Sequence, residues 1–216
     1  MSSDGRDTRW EQHRADRRRE LVSHALRAIR VHGPGVALED IAARAGTSKT
    51  VLYRHFGDRA GLYAAVVESV HAYIHAGLTT ALQLTDTEDL GRMAGDLADA
   101  YLSLVERDPH IYRFVLAVPV ATPAGAPDPA GNLPAIMGTH VSEAIGAHLE
   151  RTGVDASSAS IWGHGLVGFI RAAADQWMDA SPRPPRADVV AHITAIFAPG
   201  FVGALAPSGA LGLDPT

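Results

Sequence analysis

Residues 46–63 read GTSKTVLYRHFGDRAGLY, a basic stretch rich in hydroxyls and interrupted by Leu52, Tyr53, Phe56, Leu62 and Tyr63. A packed core has no use for so many exposed donors, and a linker has no use for the apolar residues. The flanks resolve the conflict. Upstream, Leu38, Ile41, Ala42 and Ala45 form a short apolar stripe at helical spacing, and Gly46 stops it, as a residue just past a helix end often needs positive φ. Thr47 or Ser48 then caps a helix running from about Lys49 to His55. Downstream, Asp58 caps a long helix whose buried face is read as Leu62, Ala65, Val66, Ser69, Val70, Tyr73 and Ile74. Further upstream, Val22, Ala25, Leu26 and Ile29 mark a first helix that HGPG (32–35) ends.

Helices joined by a tight turn at Gly46 make a helix-turn-helix. Ala42 is small where the two helices cross, and Leu52 pins the second helix onto the first. The second helix would then expose Thr47, Ser48, Lys49, Thr50, Tyr53, Arg54 and His55. Those residue types suit duplex DNA. Hydroxyls and cations reach phosphate oxygens, Thr and Lys also touch base edges in the major groove, and a helix N-terminus adds amide donors. Arg59, opening the next helix, is placed as a phosphate clamp. The bland alternative is a solvated helical hairpin, which favours Glu and Lys over this mixture.

The run LEDIAARAGTSKTVLYRHFGDRAGLYAAVV (38–67) resembles the DNA-binding signature of TetR-like (TetR/AcrR) transcriptional regulators, through DIA (40–42), AGTSK (45–49), LYRHF (52–56) and GDRAGL (57–62). Ala37 stands where that family usually has a Thr or Ser cap, and Arg59 replaces a Lys. The resemblance implies a homodimer reading a near-palindromic double-stranded operator. Its two recognition helices would lie roughly 34–36 Å apart, or at a multiple adjusted for groove spacing. It also implies a C-terminal pocket for a small effector that releases DNA by favouring another dimer geometry.

Composition agrees with an all-α, cytoplasmic regulator. The 216 residues are 46% hydrophobic, enough for a core, and contain no cysteine, which excludes disulfides and thiol chemistry. No signal peptide or membrane span is expected. The net charge of −5 hides a split: residues 1–66 hold 12 Lys and Arg against 8 Asp and Glu, and the remainder 7 against 16. The expected division is a DNA-binding domain over 1–66, a helical ligand-binding and dimerisation domain over 67–206, and a disordered tail over 207–216. A basic arm (1–17) would precede the first helix, either along DNA or frayed in solvent.

Beyond residue 84, Thr85 and Glu88 suit a capping box for a helix to about Arg107, ended by DPH and followed by the apolar IYRFVLAV. A Pro/Gly-rich loop (119–134) leads to helices at 134–152, 156–180 and 186–205, with SPRPP between the last two. No repeat or alternating strand pattern appears.

Three catalytic or cofactor readings are considered and set aside. GHGLVG (163–168) fits Gly-x-Gly-x-x-Gly but lacks a preceding strand. Gly165, Gly168 and Ala172 make a smooth stripe instead, read as a packing surface for another helix or, as the TetR resemblance implies for a helix near the C-terminus, a dimer surface. His71 and His75 stand four apart without a third metal ligand. Asp96 and Asp99 share a face that reads as exposed. No cofactor, metal or catalytic residue is assigned.

Met93, Tyr101, Tyr112, Phe114, Met137, His140, Trp162, His164, Phe169 and Trp177 could line an apolar pocket with sparse polar tips, although each also suits a core. DPHIYRFVLA and GLVGFIRAAADQW loosely resemble a branch of the family that senses fatty acyl chains, so the expected effector is an elongated hydrophobic molecule. The rival functions are a DNA-binding regulator without a small-molecule inducer and, more remotely, a helical enzyme using His71, His75 or the Asp pair.

Overall fold

The computed structural model describes residues 4–84, 89–117 and 133–205. Among these residues there are nine α-helices and no strand: α1 (Asp4–His32), α2 (Leu38–Arg44), α3 (Lys49–Phe56), α4 (Arg59–Leu84), α5 (Leu90–Arg107), α6 (Pro109–Ala117), α7 (Leu133–Thr152), α8 (Ala159–Asp179) and α9 (Arg186–Leu205). The expected loop and tail fall largely on residues 118–132 and 206–216, outside the described residues, as do Thr85 and Glu88.

The described residues fall into two compact units. The first takes residues 4–72 and 108–117, so α6 packs with the N-terminal helices. Its core holds Leu21, Ile29, Ile41, Leu52, Leu62, Val66 and Phe114. Tyr63, buried on α4, meets Phe114 edge-on at 5.0 Å and donates its hydroxyl hydrogen bond to the Val36 carbonyl at 3.0 Å. That bond satisfies the polar tip of an otherwise apolar side chain. Pro109 occupies the first position of α6, where a missing amide costs nothing, and the Asp108 carbonyl accepts from Tyr112 N at 3.0 Å.

The second unit holds residues 73–84, 89–107 and 133–205. Glycines let its helices touch. A methyl group on Gly91 of α5 would sit 2.6 Å from Ala198 Cβ of α9, and one on Gly95 would sit 2.7 Å from Thr194 Oγ1. Gly163 of α8 lies against the backbone of Ser142 on α7, and Gly138 of α7 lies under the His164 ring. Asp89 caps α5, its carboxylate accepting from Arg92 N at 2.9 Å. Arg186 ties α9 to α5 through Asp99 at 2.9 Å and Glu106 at 3.0 Å.

Three expectations need correction. The basic arm does not precede the first helix, because from Asp4 onward it is part of α1. Local pairs suit that extension: Arg17 with Glu20 at 2.6 Å, Arg19 with Asp16, and Gln12 with Asp16 at 3.1 Å. Tyr73 is not on a buried face but 52% exposed, with the Arg107 guanidinium over its ring. Helix α8 starts at Ala159 rather than near residue 156, since Asp155 accepts from Ser157 N at 3.1 Å and holds a turn first.

Candidate nucleic-acid interface

The turn between α2 and α3 is built from the backbone outward. Gly46 has φ +59°, Gly46 N donates to the Ala43 carbonyl at 3.1 Å, and Thr47 N donates to the Ala42 carbonyl at 3.0 Å. These two bonds with a left-handed residue between them form a Schellman motif, which satisfies the end of α2 and reverses the chain. Ser48 then caps α3, its Oγ accepting from Val51 N at 3.4 Å. As an acceptor towards the helix, that hydroxyl keeps its proton for an outside partner.

Leu52 and Phe56, one turn apart, are buried and fix the rotation of α3. At about 100° per residue, this aims Thr50, Tyr53 and Arg54 away from the core. All three are exposed, as are Ser48 and Lys49, while Thr47 and His55 are half-buried at the flanks. Tyr53 leaves 42% of its surface open. Gly57 (φ +82°) ends α3, and the Asp58 carboxylate accepts from Gly61 N at 2.7 Å to start α4. The structure therefore places seven of the eight predicted contact residues along α3 and its cap, with Arg59 at the head of α4.

Lys49 and Arg59 are also engaged within the protein. Lys49 Nζ donates to Glu39 Oε1 of α2 at 2.6 Å, which lowers the Glu39 carboxyl and raises the lysine from their ordinary values. The Arg59 guanidinium lies 5.0 Å from the Tyr63 ring centre and donates to its hydroxyl at 3.0 Å. Ala37, at the N-cap of α2, makes no side-chain cap bond.

Sequence reasoning missed how α1 joins this surface. Arg18 donates to the His55 carbonyl at 2.7 Å and stacks 4.5 Å over Phe56, covering the end of α3. Burial, then Arg54, Arg17, Arg14 and Arg18, hold the His55 imidazole below its ordinary pKa. The legible signal is a period: the spacing that carries Ile29, Ala25 and Leu21 runs back to Arg18, Arg17 and Arg14.

The other predicted residues are dispersed. Tyr112 and Phe114 are buried in the first unit, whereas Met93, Met137 and Trp177 are buried in the second. In the second unit His140 meets His75 edge-on at 5.1 Å, Trp162 meets Phe201 at 5.9 Å, and Phe169 meets Phe197 at 5.2 Å. Tyr101 is half-buried and His164 exposed. Trp177 Nε1 donates to the Pro184 carbonyl at 2.8 Å, closing the α8–α9 corner. Gly165, Gly168 and Ala172 are exposed, with open space above both glycines.

Comparison with known proteins gives a consistent answer. Residues 21–66 match the family described as "Bacterial regulatory proteins, tetR family", and residues 78–210 match "Tetracyclin repressor-like, C-terminal domain". The chain is similar to an uncharacterised HTH-type transcriptional regulator of Mycobacterium tuberculosis, 30% identical over 98% of this chain and 88% of that protein. It is similar to the HTH-type transcriptional activator FasR of Mycolicibacterium smegmatis, 28% identical over 87% of this chain and 83% of that protein. A TetR-family regulator from Pectobacterium atrosepticum has the same fold, with TM-score 0.68 and 24% identity over 91% of this chain and 97% of that one. So does the fatty acid degradation regulator FadR of Bacillus halodurans, with TM-score 0.64 and 13% identity over 84% and 94%.

Proposed function

Because the chain belongs to the TetR family of transcriptional regulators, which bind DNA and are not enzymes, we propose that it is a cytoplasmic, homodimeric repressor of a near-palindromic operator, released by a small hydrophobic effector. The observation that carries this reading is the outer face of α3. Thr50, Tyr53 and Arg54 stand exposed on a helix whose rotation Leu52 and Phe56 fix from inside. A rod so locked presents donors and cations to a groove without losing side-chain core packing. Residues 1–66 act as the DNA-binding part, and the remainder holds the pocket and the dimer surface.

Pairing is supported by an uncovered apolar strip. Gly165, Gly168 and Ala172 on α8 lie among exposed Ile161 and Phe169, and Ile196 and Val202 stand exposed on α9. Exposed apolar residues on two helices of one unit suit an association site. An elongated ligand of fatty acyl type would draw a mostly apolar lining from Tyr101, His140 and Trp162 with the buried Met93, Met137 and Trp177. Coupling of roughly 1.4–2.7 kcal/mol gives ten- to hundredfold induction.

A second reading rests on the relative named as an activator: the same operator contact, with the opposite sign of regulation.

The test is to sequence the genomic fragments retained by the purified chain and then footprint it on the site. Lys49 is the sole lysine in the 216 residues, so amine acylation read by mass spectrometry reports directly on α3. Bound operator is expected to protect Lys49, and acyl-CoA is expected to restore its labelling. Full labelling on a bound duplex would remove α3 from the interface. Protection that no acyl ligand, steroid or aromatic antibiotic relieves would favour a regulator without a small-molecule inducer.

A further inference from the structure

We propose that His75 and Thr79 of α4, with His140 of α7, anchor the polar end of the effector by donating hydrogen bonds to an acyl oxygen at the head of its apolar chain. The proposal rests on the reading that the effector is of fatty acyl type, and it names the side chains that recognise the head.

All three residues belong to the second unit. Around α4, at about 100° per residue, Tyr73, Ala76 and Thr80 share one side and are exposed. His75 lies away from them, between the buried Leu78 and Thr79, whose Oγ1 is shut off from solvent. A helix ordinarily fills that side with apolar residues. On α7, His140 is half-buried beside the buried Met137 and Val141. The two imidazoles meet edge to face, with centroids 5.1 Å apart and planes at 61°. Thr79 stands one turn along α4 from His75, about 6 Å further on.

These polar tips have no partners of their own. Among the described residues neither imidazole makes a hydrogen bond, and Thr79 Oγ1 makes none although it is buried. Helical threonines commonly bond the carbonyl one turn back. Thr80, Thr139, Thr152 and Thr194 of the same unit do so, donating to the Ala76, Ala135, His148 and Val190 carbonyls at 2.9, 3.1, 3.0 and 2.9 Å. Thr79 does not, and a buried hydroxyl without a bond is costly in the free protein. A neutral imidazole and a hydroxyl each have one hydrogen to donate, which suits an oxygen acceptor. The apolar neighbours suit the chain behind it. A metal ion is the poorer match, since no group of three or more His, Cys, Asp or Glu among the described residues is placed to hold one.

The experiment measures binding of dodecanoic acid and of dodecanoyl-CoA to the full-length chain by calorimetry. Wild type is compared with His75→Phe, His140→Phe, Thr79→Val and the exposed control Thr80→Val. Phe keeps the ring contact and Val keeps the branched shape, so the polar tips alone are lost. Each of the first three changes is expected to weaken acyl binding about three- to tenfold, and Thr80→Val to leave it unchanged. Thr79→Val should also raise the melting temperature of the ligand-free protein while shrinking the rise that ligand gives. A purely structural residue does not move those two in opposite directions. Loss for one ligand alone upholds the anchor and names that ligand as the source of the oxygen. Wild-type affinity in all three variants would overturn the anchor and leave the apolar effector reading standing. No binding of either ligand to wild type would overturn both. Stabilisation by zinc chloride alone, lost in both histidine variants, would assign the pair to a metal and sink the proposal.

Discussion

Arg30 and Asp108, 78 residues apart, face each other as a fork: Arg30 Nε donates to Oδ1 at 2.6 Å and Nη2 to Oδ2 at 3.0 Å. His110 Nδ1 adds a bond at 3.0 Å to the Arg30 carbonyl, which requires the Nδ1–H tautomer. The end of α1 is thereby clamped to the start of α6, inside the unit that carries the helix-turn-helix. Asp108 is mostly buried and Arg30 is half-exposed, so the pair's share of stability is modest, on the order of 1 kcal/mol. Asp108→Asn is expected to lower the melting temperature by a few degrees while changing operator affinity and effector response disproportionately. A melting shift without any change in either would reduce the clamp to packing.

On the proposed contact, the Lys49–Glu39 pair would set a cost on DNA binding. Lys49 would leave or share its carboxylate to reach phosphate, and the Glu39 charge would oppose the DNA backbone. Glu39→Gln is expected to tighten operator binding about threefold or more at low salt, with the gain shrinking as salt screens both charges. Weaker binding in that variant would instead mean that Glu39 orients Lys49 for contact.

Helix α2 starts at a residue that cannot cap it. Ala37 has the extended conformation of an N-cap, φ −77° and ψ 151°, without a side-chain acceptor. Ala37→Ser is expected to stabilise the first unit by about 0.5–1 kcal/mol. It should also place one more hydroxyl near the DNA backbone. Thermal unfolding and a gel-shift titration read the two effects separately.

The helix-turn-helix was legible because its determinants are local. Ala42, Gly46, Ser48 and Leu52 lie within one short run, and each does what its chemistry dictates at its own position. The helical nature of residues 4–17 was harder to read, because only a basic period and no apolar stripe runs through them and their support comes from charged pairs such as Arg17–Glu20. Tyr63 and Phe114 meet across 51 positions, beyond the reach of any periodicity. Tyr73 was misplaced by extending one buried stripe along all of α4, although the helix passes from one compact unit to the other at Ala72 and Tyr73. The Gly91–Ala198 and Gly163–Ser142 contacts were equally hidden, since a glycine in a helix does not say which neighbour needs the space.

Those glycines make a stability prediction. A Cβ on Gly163 would fall 2.5 Å from the Ser142 amide nitrogen, a backbone atom that cannot rotate away. Gly163→Ala gains helix propensity of about 0.8–1.0 kcal/mol, yet overpacking typically costs about 1–3 kcal/mol. The balance is expected to be destabilising. Gly165→Ala has open space and should keep the propensity gain in an isolated subunit. If α8 is the dimer surface, Gly165→Ala instead weakens pairing, which sedimentation as a function of concentration measures.

His55 supplies a pH dependence whose sign reverses on DNA. Burial comes first, and Arg54 on α3 with Arg14, Arg17 and Arg18 on α1 adds to it, so the folded pKa lies below the unfolded value of about 6.5. The unfolded chain therefore binds the proton more readily between those two values. This contribution to stability is fully present above about pH 6.5 and is lost as pH falls through the folded pKa. Operator phosphates laid over the same arginines would offset their repulsion and raise the His55 pKa in the complex. Binding should then take up a proton and tighten as pH falls from about 7 towards 6, in the range where the free protein loses stability. His55→Gln is expected to flatten both profiles, since it keeps a polar side chain without the titration. If wild type and His55→Gln give parallel affinity curves across that range, the phosphates do not lie over this cluster.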